Sequence, residues 1–342
     1  MQDKTSSPLI ATPDRYLFAF EADAAVFLEM DRDSYSRSIF LDDRIQPSSE
    51  TPIHVPISAL SPPGPTPASG WIFHVAHCGS TLLARALDRP GGGIVLREPF
   101  TLRQLGIEAA NGAATDPAWQ VRLQLASTLL ARRYAGGSPS IIKANVPVNF
   151  IIRDILASVP DASAILLYFP LADYLTAILR SPNHLVWLRN VSANLRPAII
   201  AHAGTLPEND AERTAALWLA QIRCYAAVLA QFPNTRSLDA ETLFNSPQLV
   251  IDAAATLFGQ PIADADLRAI VEGPLFATYS KNPAFAFNNE ARLGRQAALA
   301  NTLAPDIERA RQWVGRQLDA YPLPVRLERQ LVAGMPQRHL LG

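Results

Sequence analysis

Charged side chains, cysteine and long apolar runs are all scarce in this chain of 342 residues. Only 18 % of the residues are charged, and 30 basic against 31 acidic side chains give a formal net charge of −1. The chain therefore lacks the overall positive field of proteins that bind nucleic acid or anionic membranes. No apolar run approaches the roughly 20 residues that span a bilayer. We expect no nucleic-acid partner and no membrane, and any anion site must be local.

The two cysteines, Cys78 and Cys224, cannot build a disulfide framework, which is typical of a protein from a reducing compartment. The six histidines form no HExxH motif and do not pair with cysteine at the spacing of a zinc site. The first residues lack the basic start and apolar stretch of a secretory signal. With 49 % apolar residues, these observations predict a globular cytoplasmic protein without a metal.

Proline is unexpectedly frequent, since 28 prolines against 17 glycines reverse the usual order. Four prolines fall within residues 61–67, SPPGPTP. Neither a helix nor a sheet passes through such a stretch, because proline removes backbone donors and fixes φ. We expect a small N-terminal module of unknown role at 1–60, a linker at 61–68, and one larger domain at 69–342.

After the proline cluster, short apolar runs typical of buried strands alternate with stretches typical of helices. The strand-like runs are 71–76, 94–96, 140–145 and 164–169. A helix is predicted at 115–137, further helices at 183–232, and an amphipathic helical tail from about 290. This alternation predicts an α/β fold, with a mostly parallel sheet flanked by helices. Ligands of such sheets bind at the carboxyl ends of the strands.

The sequence HCGST joins the first of these strands to a helix and is a candidate phosphate or sulfate site. Gly79 would let the backbone approach an anion, and the amides of Ser80, Thr81 and Leu82 would open a helix whose N-terminus favours negative charge. The loop is not a Walker A motif, which would need lysine where Ser80 stands. An ordinary strand-to-helix turn is the alternative.

Several segments resemble the sulfotransferase family, and in motif they are closest to bacterial and tyrosylprotein-type members. FHVAHCGSTLLARAL resembles the family's 5′-phosphosulfate loop. The segments LREPFTLRQL, SIIKANVPVNFIIRDILASVPDASAILLYFP, DAETLFNSPQLVIDAAATLFGQP and YSKNPAF follow in the family's order. The resemblance covers about residues 70–285. It implies a P-loop NTPase-like fold and transfer of a sulfuryl group from 3′-phosphoadenosine 5′-phosphosulfate (PAPS).

The resemblance also implies roles for single residues. Glu98 matches the family's catalytic base, and Lys143 matches its catalytic lysine. His77 stands where a lysine or arginine is usual, and with Cys78 it completes the donor loop. Sulfuryl transfer needs amides and a cation at the anion and a base at the nucleophile, and these residues would supply them. The alternatives are that Glu98 pairs with a neighbouring arginine, and that Lys143 is an exposed charge at a strand end.

The site that would hold the 3′-phosphate of the nucleotide departs from the family. Tyr168 stands where the family has an arginine, so a bidentate charged contact is lost. Thr176 matches the family's serine. Arg180 follows one helical turn later on the same face and would compensate in part. We expect Thr176 and Arg180 to contact the nucleotide.

The sequence as a whole predicts a sulfotransferase that moves a sulfuryl group from PAPS to a hydroxyl or amine on a small molecule or peptide. Two alternatives stay open. One is a nucleotide-dependent phosphotransferase or hydrolase on the same fold. The other is a degenerate, non-catalytic nucleotide-binding protein, suggested by Tyr168. Glu241 is expected to be a structural hydrogen-bond partner, and alanine in place of Glu98 or Lys143 is expected to abolish transfer and leave the fold intact.

Overall fold

The structure is a computed structural model that describes residues 10–60, 65–280 and 282–342. Residues 61–64, which begin the predicted proline-rich linker at 61–68, lie outside the described residues. The division of the chain at this linker therefore stays a prediction.

The N-terminal segment contains an antiparallel sheet of three strands in the order β1-β2-β3. Its elements are β1 (Arg15–Glu21), β2 (Ala24–Glu29), α1 (Arg32–Arg37) and β3 (Ser49–Pro56). The apolar stretches around Phe18 and Phe27 predict short strands, which are confirmed as β1 and β2. The sequence did not predict β3, because most of its side chains are exposed and its sequence, SETPIHVP, has no apolar run.

Five parallel strands form the central sheet in the spatial order β5-β6-β4-β7-β8. They are β4 (Gly70–His74), β5 (Val95–Arg97), β6 (Ile141–Lys143), β7 (Ser163–Tyr168) and β8 (Thr235–Asp239). β4, which comes first in the chain among these five strands, thus lies between β6 and β7 in the sheet. Every residue of β4 is buried, so both faces of the sheet are covered. The prediction of an α/β fold with a parallel sheet flanked by helices is confirmed.

The helices connect the strands or follow the last of them. They are α2 (Ser80–Leu87), α3 (Phe100–Ala110), α4 (Pro117–Leu130), α5 (Ile152–Ser158), α6 (Leu171–Leu179), α7 (Pro182–Asn194), α8 (Arg196–Ala203), α9 (Asp210–Gln231), α10 (Ala240–Asn245), α11 (Pro247–Leu257), α12 (Asp264–Glu272), α13 (Pro274–Ala277), α14 (Asn289–Thr302) and α15 (Ala304–Gln317). Short 3-10 helices lie at Ile57–Ala59, Ala113–Thr115 and Val146–Ile151, and a hairpin of β9 (Thr278–Tyr279) and β10 (Asn282–Ala286) precedes α14.

Two arginines outside the N-terminal segment hold this segment in place. Arg97, at the end of β5, and Arg132, just after α4, both have buried guanidinium groups. Their hydrogen bonds reach six backbone carbonyls of the segment, those of Ile10, Thr12, Arg15, Tyr35, Ser36 and Ser38. The side chain of Gln104 adds two hydrogen bonds to the backbone of Phe20, at 2.9 and 2.6 Å. The segment is therefore docked firmly on α3 and α4.

The predicted helical tail is confirmed, but it consists of two helices. Pro305 lies in the first turn of the second helix, α15, where its missing N–H costs little. Beyond α15 the chain returns to the sheet, where the amide of Ser237 in β8 donates to the carbonyl of Arg329 at 2.9 Å and the amide of Leu331 donates to the carbonyl of Ser237 at 2.8 Å. Helix α14 packs against α6 and so lies near the carboxyl end of β7. No helix in the described ranges is long and apolar enough to cross a membrane.

Candidate active site

The loop between β4 and α2 has an unusual backbone. Ala76, His77 and Gly79 all have positive φ angles, of +81°, +52° and +85°. Non-glycine residues rarely adopt this conformation, and its cost of order 1–2 kcal/mol each is typical of functional loops. At Gly79 even a methyl group would fail to fit, because a Cβ atom would lie 2.9 Å from the ring of Phe244. Glycine is therefore required here by both conformation and space.

Helix α2 begins in this loop with its first amides uncapped. Its N-cap residue, Gly79, has no side chain to accept from the amides of the first turn. The hydroxyl of Thr81 is buried and has no hydrogen-bond partner among the described residues. A buried hydroxyl without a partner costs about 1–3 kcal/mol, which a bound acceptor atom would recover. The predicted loop residues therefore form a site that fits an anion.

A cavity of about 300 Å³ opens over this loop and is called the loop cavity. One side is lined by residues 77–82, and the opposite walls come from α6, α7, the β9–β10 hairpin and α14. Thr176 and Arg180 both line it, as the sequence predicts for contacts to a nucleotide. The guanidinium of Arg180 lies 3.2 and 3.3 Å from the two ring nitrogens of His184, which lines the same cavity.

A second cavity, of about 360 Å³, lies beside the first and is called the Glu98 cavity. It opens at the carboxyl ends of β4 and β5, where His74 and Glu98 line it. Among the described residues, His77 alone lines both cavities. Its ring lies against His184 of the loop cavity, with the ring centres 4.0 Å apart and the planes tilted by 36°, and meets Trp187 of the Glu98 cavity edge-on at 5.3 Å. His77 therefore separates the two cavities.

Glu98 and Lys143 form an ion pair at the ends of β5 and β6. The ammonium of Lys143 is fully buried, whereas the Glu98 side chain is 19 % exposed toward its cavity. Glu98 itself has a positive φ of +58°, and the following Pro99 disfavours right-handed helical geometry for it. The Nε2 atom of His74 lies 3.7 Å from the same carboxylate. Because Nδ1 of that ring accepts from the amide of Ala76, the neutral ring carries its proton on Nε2, on the side of Glu98.

Both local alternatives to an active-site role disagree with this geometry. Arg97 does not pair with Glu98 but with Asp88, at 2.6 Å. Lys143 is not an exposed charge, since its side chain is completely buried. Lys143 also lines neither cavity, so it contacts the site from behind, through Glu98 and through the ring of Phe40, whose centre lies 5.5 Å from its Nζ. The catalytic roles of Glu98, Lys143 and His77 stay predictions.

The position where the family has an arginine does not reach the loop cavity. Tyr168 is 1 % exposed, and burial raises the pKa of its hydroxyl. Tyr168 is not among the residues that line either cavity. Its side chain therefore does not reach the cavity in which the sequence predicts a nucleotide. Cys78 of the loop is also buried, with its sulfur 3.7 Å from the carbonyl oxygen of Leu167.

Helix α14 supplies lining residues that the sequence did not reveal. Arg292 lines the loop cavity and forms two hydrogen bonds to Glu241, at 2.7 and 2.6 Å, so Glu241 is a structural partner as expected. The guanidinium of Arg292 also lies 4.2 Å from the ring centre of Phe244. Arg295 lines the cavity too, and it has no ion pair within the described ranges. Spacing alone showed an amphipathic helix here, but not which part of the protein it covers.

Arg338 contacts the α6 and β8 side of the loop cavity from outside the cavity. Arg338 binds both Asp173, which lines the loop cavity, and Asp239 at the end of β8. Burial raises the pKa of Asp173, although the charge of Arg338 acts in the opposite direction. Gln296 of α14 donates to the same carboxylate at 2.7 Å. Across the part of the chain that the structure describes, no group of three or more His, Cys, Asp or Glu side chains could hold a metal ion.

Comparisons with known proteins give fold neighbours but no sequence relatives. No family model and no curated protein matches the sequence. Three solved structures similar to the chain are sulfotransferases or sulfotransferase domains. They come from the curacin biosynthetic pathway (15 % identity, 76 % of this chain and 100 % of that chain, TM-score 0.44), the Synechococcus PCC 7002 olefin synthase (15 %, 71 % and 97 %, 0.37) and Alicyclobacillus acidocaldarius (14 %, 75 % and 99 %, 0.37). At these identities and TM-scores the likeness carries no argument about the reaction, which must follow from the chain's own residues.

Proposed function

We propose that the protein is a sulfotransferase that moves a sulfuryl group from PAPS to a hydroxyl or amine acceptor. The observation that carries the proposal is the meeting of two different cavities at His77. One of them contains an uncapped helix N-terminus, suited to an anion. The other contains a carboxylate held by a buried ammonium, suited to accepting a proton. A group transfer between two bound molecules needs this arrangement.

The loop cavity has the groups that a nucleotide with several anionic groups requires. The loop amides and the hydroxyl of Thr81 would hold the 5′-phosphosulfate. Arg180 and Arg295, on two different walls, would hold the other phosphate in place of the missing arginine at Tyr168. When bound, the donor supplies the sulfuryl group: the acceptor oxygen bonds to sulfur, the sulfur–oxygen bond to the 5′-phosphate breaks, and adenosine 3′,5′-bisphosphate leaves.

In the Glu98 cavity, the carboxylate of Glu98 would take the proton that the acceptor loses. Lys143 acts as a positioning residue, because its buried ammonium fixes the carboxylate at the strand end. His77 and the loop amides lie at the boundary between the cavities, where they would stabilise charge on the oxygens of the transferring group. Catalysis would thus depend mainly on position and electrostatics.

The two alternatives explain less of the geometry. A phosphotransferase would share the loop amides, but Ser80 replaces the lysine that P-loop enzymes place on the β- and γ-phosphates. A non-catalytic nucleotide-binding protein would have no use for the ion pair of Glu98 and Lys143 in a neighbouring cavity. A buried ion pair is weak evidence for stability alone.

Isothermal titration calorimetry tests the donor site. We expect adenosine 3′,5′-bisphosphate to bind more tightly than adenosine 5′-monophosphate and than ATP with Mg²⁺. Thr81→Val should weaken binding of the bisphosphate by roughly 10-fold or more, because it removes a hydrogen bond to a charged group. Thr101→Val is the matched control, since the hydroxyl of Thr101 is also buried without a described partner but lines neither cavity. Preference for ATP with Mg²⁺ would instead support the phosphotransferase.

Transfer is tested with PAPS labelled in its sulfuryl group and a panel of phenols, alcohols and amines. Glu98→Asp keeps the charge but withdraws the carboxylate by one carbon, so the transfer rate should fall about 100-fold with bisphosphate affinity unchanged. Glu108→Asp, at an ion pair with Arg122 outside both cavities, is the control. Tight bisphosphate binding without transfer to any acceptor would support the non-catalytic alternative.

A further inference from the structure

The Glu98 cavity has one positive charge that no described carboxylate balances. Glu98 is paired with Lys143 behind it. Arg44 is bound by Asp42 through two hydrogen bonds, at 2.8 and 2.5 Å. Arg103, which lines the same cavity from the first turn of α3, is exposed and forms no ion pair within the described ranges. When the buried ammonium of Lys143 behind Glu98 is counted with the lining side chains, the charges around the cavity sum to one positive charge, which favours a ligand with a single anionic group.

The same cavity contains a hydrogen-bond acceptor without a donor. Asn145 is 8 % exposed and lines the cavity just after β6. Its Oδ1 atom is buried and has no hydrogen-bond partner among the described residues. Buried polar atoms are nearly always paired, so this atom indicates a ligand that carries an N–H or O–H group. The observation is independent of the charge of Arg103.

The size and walls of the cavity favour a small molecule over a peptide. Its volume of about 360 Å³ lies within the range of sites for small ligands. The N-terminal segment closes one side with Phe40 and Arg44, whose guanidinium lies 4.0 Å from the Phe40 ring centre. Trp187 of α7 lines the cavity as well. Aromatic side chains in the walls provide apolar surface for the body of a ligand.

We infer that the acceptor is a small hydroxy acid whose single anionic group is bound by Arg103 and whose hydroxyl faces Glu98. The inference rests on the proposed function. In the reaction the acceptor oxygen forms its bond to sulfur, the bond from sulfur to the 5′-phosphate oxygen breaks, and the hydroxyl proton passes to Glu98. Asn145 accepts a hydrogen bond from the same ligand, and Arg103 sets the specificity for acids.

Binding of matched acids and esters tests the inference without any transfer. The probes are 4-hydroxybenzoate, 4-hydroxyphenylacetate and 3-(4-hydroxyphenyl)propanoate, which place the carboxylate at increasing distance from the hydroxyl, and their methyl esters. Dissociation constants are measured by ligand-observed NMR on the full chain. At least one acid should bind 10-fold or more tightly than its ester. If all three acids bind no better than their esters, the inference is wrong.

Variants connect that preference to the arginine. Arg103→Met should reduce the acid preference to less than 3-fold, and Arg103→Lys should retain part of it. Arg268→Met, at an exposed arginine of α12 outside both cavities, should leave it unchanged. Asn145→Leu should weaken acid and ester alike, because it removes a hydrogen bond common to both. An acid preference that survives Arg103→Met would overturn the inference.

The proposed function and the inference fail in different ways. If acids bind through Arg103 but no sulfuryl group is transferred from PAPS, the ligand class stands and the reaction is wrong. If transfer occurs equally well to acids and esters, the reaction stands and the acceptor class is wrong.

Discussion

The ion pair between Lys143 and Glu98 is set by the backbone of the sheet. The amide of Glu98 donates to the carbonyl of Lys143 at 2.7 Å, which extends the parallel register that pairs Arg97 with Lys143. The two charged side chains therefore lie next to each other at the carboxyl ends of adjacent strands. Their surroundings differ, because the ammonium is completely enclosed and the carboxylate reaches a cavity.

This difference predicts that replacing Glu98 and replacing Lys143 lower the unfolding free energy by unequal amounts. Glu98→Gln leaves a buried ammonium without its counter-charge and should cost about 3–5 kcal/mol of unfolding free energy. Lys143→Met leaves a carboxylate that cavity water can solvate, and should cost roughly 1 kcal/mol. Urea unfolding at neutral pH measures both, and the double variant should resemble Lys143→Met. Equal losses for the two single variants would contradict this interpretation.

Arg180 and Arg295, which line the loop cavity from two different elements, should act on one phosphate of the nucleotide. We expect Arg180→Met and Arg295→Met each to weaken the binding of adenosine 3′,5′-bisphosphate by about 10- to 100-fold, which corresponds to the loss of a charge-assisted hydrogen bond. Adenosine 5′-monophosphate, which lacks the second phosphate, should lose little. Calorimetry of both ligands gives the comparison, and Arg309→Met, at an exposed residue of α15, serves as the control. Equal losses for both ligands would place the arginines elsewhere on the nucleotide.

The strained loop should tolerate glycine at a position where alanine normally stabilises a chain. Ala76 has a φ of +81°, so glycine there relieves about 1–2 kcal/mol of backbone strain and offsets its greater entropy when unfolded. Ala76→Gly should thus change the unfolding free energy by less than about 0.5 kcal/mol. Ala269→Gly, exposed inside α12, should cost about 1 kcal/mol in the same urea titration. A larger loss at Ala76 than at Ala269 would count against strain in the loop.

Acid should weaken the wall that the N-terminal segment contributes to the Glu98 cavity. Burial alone would raise the pKa of Asp42, but hydrogen bonds from Arg44 outweigh it and hold the pKa below its ordinary value. A depressed pKa in the folded state stabilises the protein above about pH 3.9, the unfolded value, and this contribution disappears as the pH falls through the folded pKa. Asp42→Asn should therefore flatten the dependence of the unfolding free energy on pH below about pH 4. Parallel curves for the two proteins would refute this.

The sheet and the loop could be predicted because their signals are local. A buried strand followed by HCGST fixes a turn and a helix start within a few residues, and strand ends of a parallel sheet must meet at one edge. Glu98 and Lys143, which follow or end two of these strands, could therefore both be assigned to the site. The same reasoning did not reveal that Lys143 would be fully buried. That finding changes the expectation that alanine at Glu98 leaves the fold intact.

The remaining site residues depend on contacts between segments far apart in the chain. Arg295 was visible only as a polar residue of an amphipathic helix, and nothing local showed that α14 lies across the loop cavity. The role of Arg103 depends on Arg44 and Asp42 balancing each other, which requires the docked N-terminal segment. The Oδ1 atom of Asn145 lacks a hydrogen-bond partner among the described residues because of how the surrounding segments pack. No sequence pattern indicates this.

The attachment of the N-terminal segment has a consequence for how this protein can diverge. Arg97 and Arg132 hold the segment through backbone carbonyls, which every amino acid provides, so these bonds place no demand on its side chains. Exchange of Phe40 or Arg44 during evolution would therefore leave these backbone hydrogen bonds intact. Under the proposed function, a lineage could change its acceptor by mutating this wall and keep the loop of residues 77–82 and the Glu98–Lys143 pair unaltered.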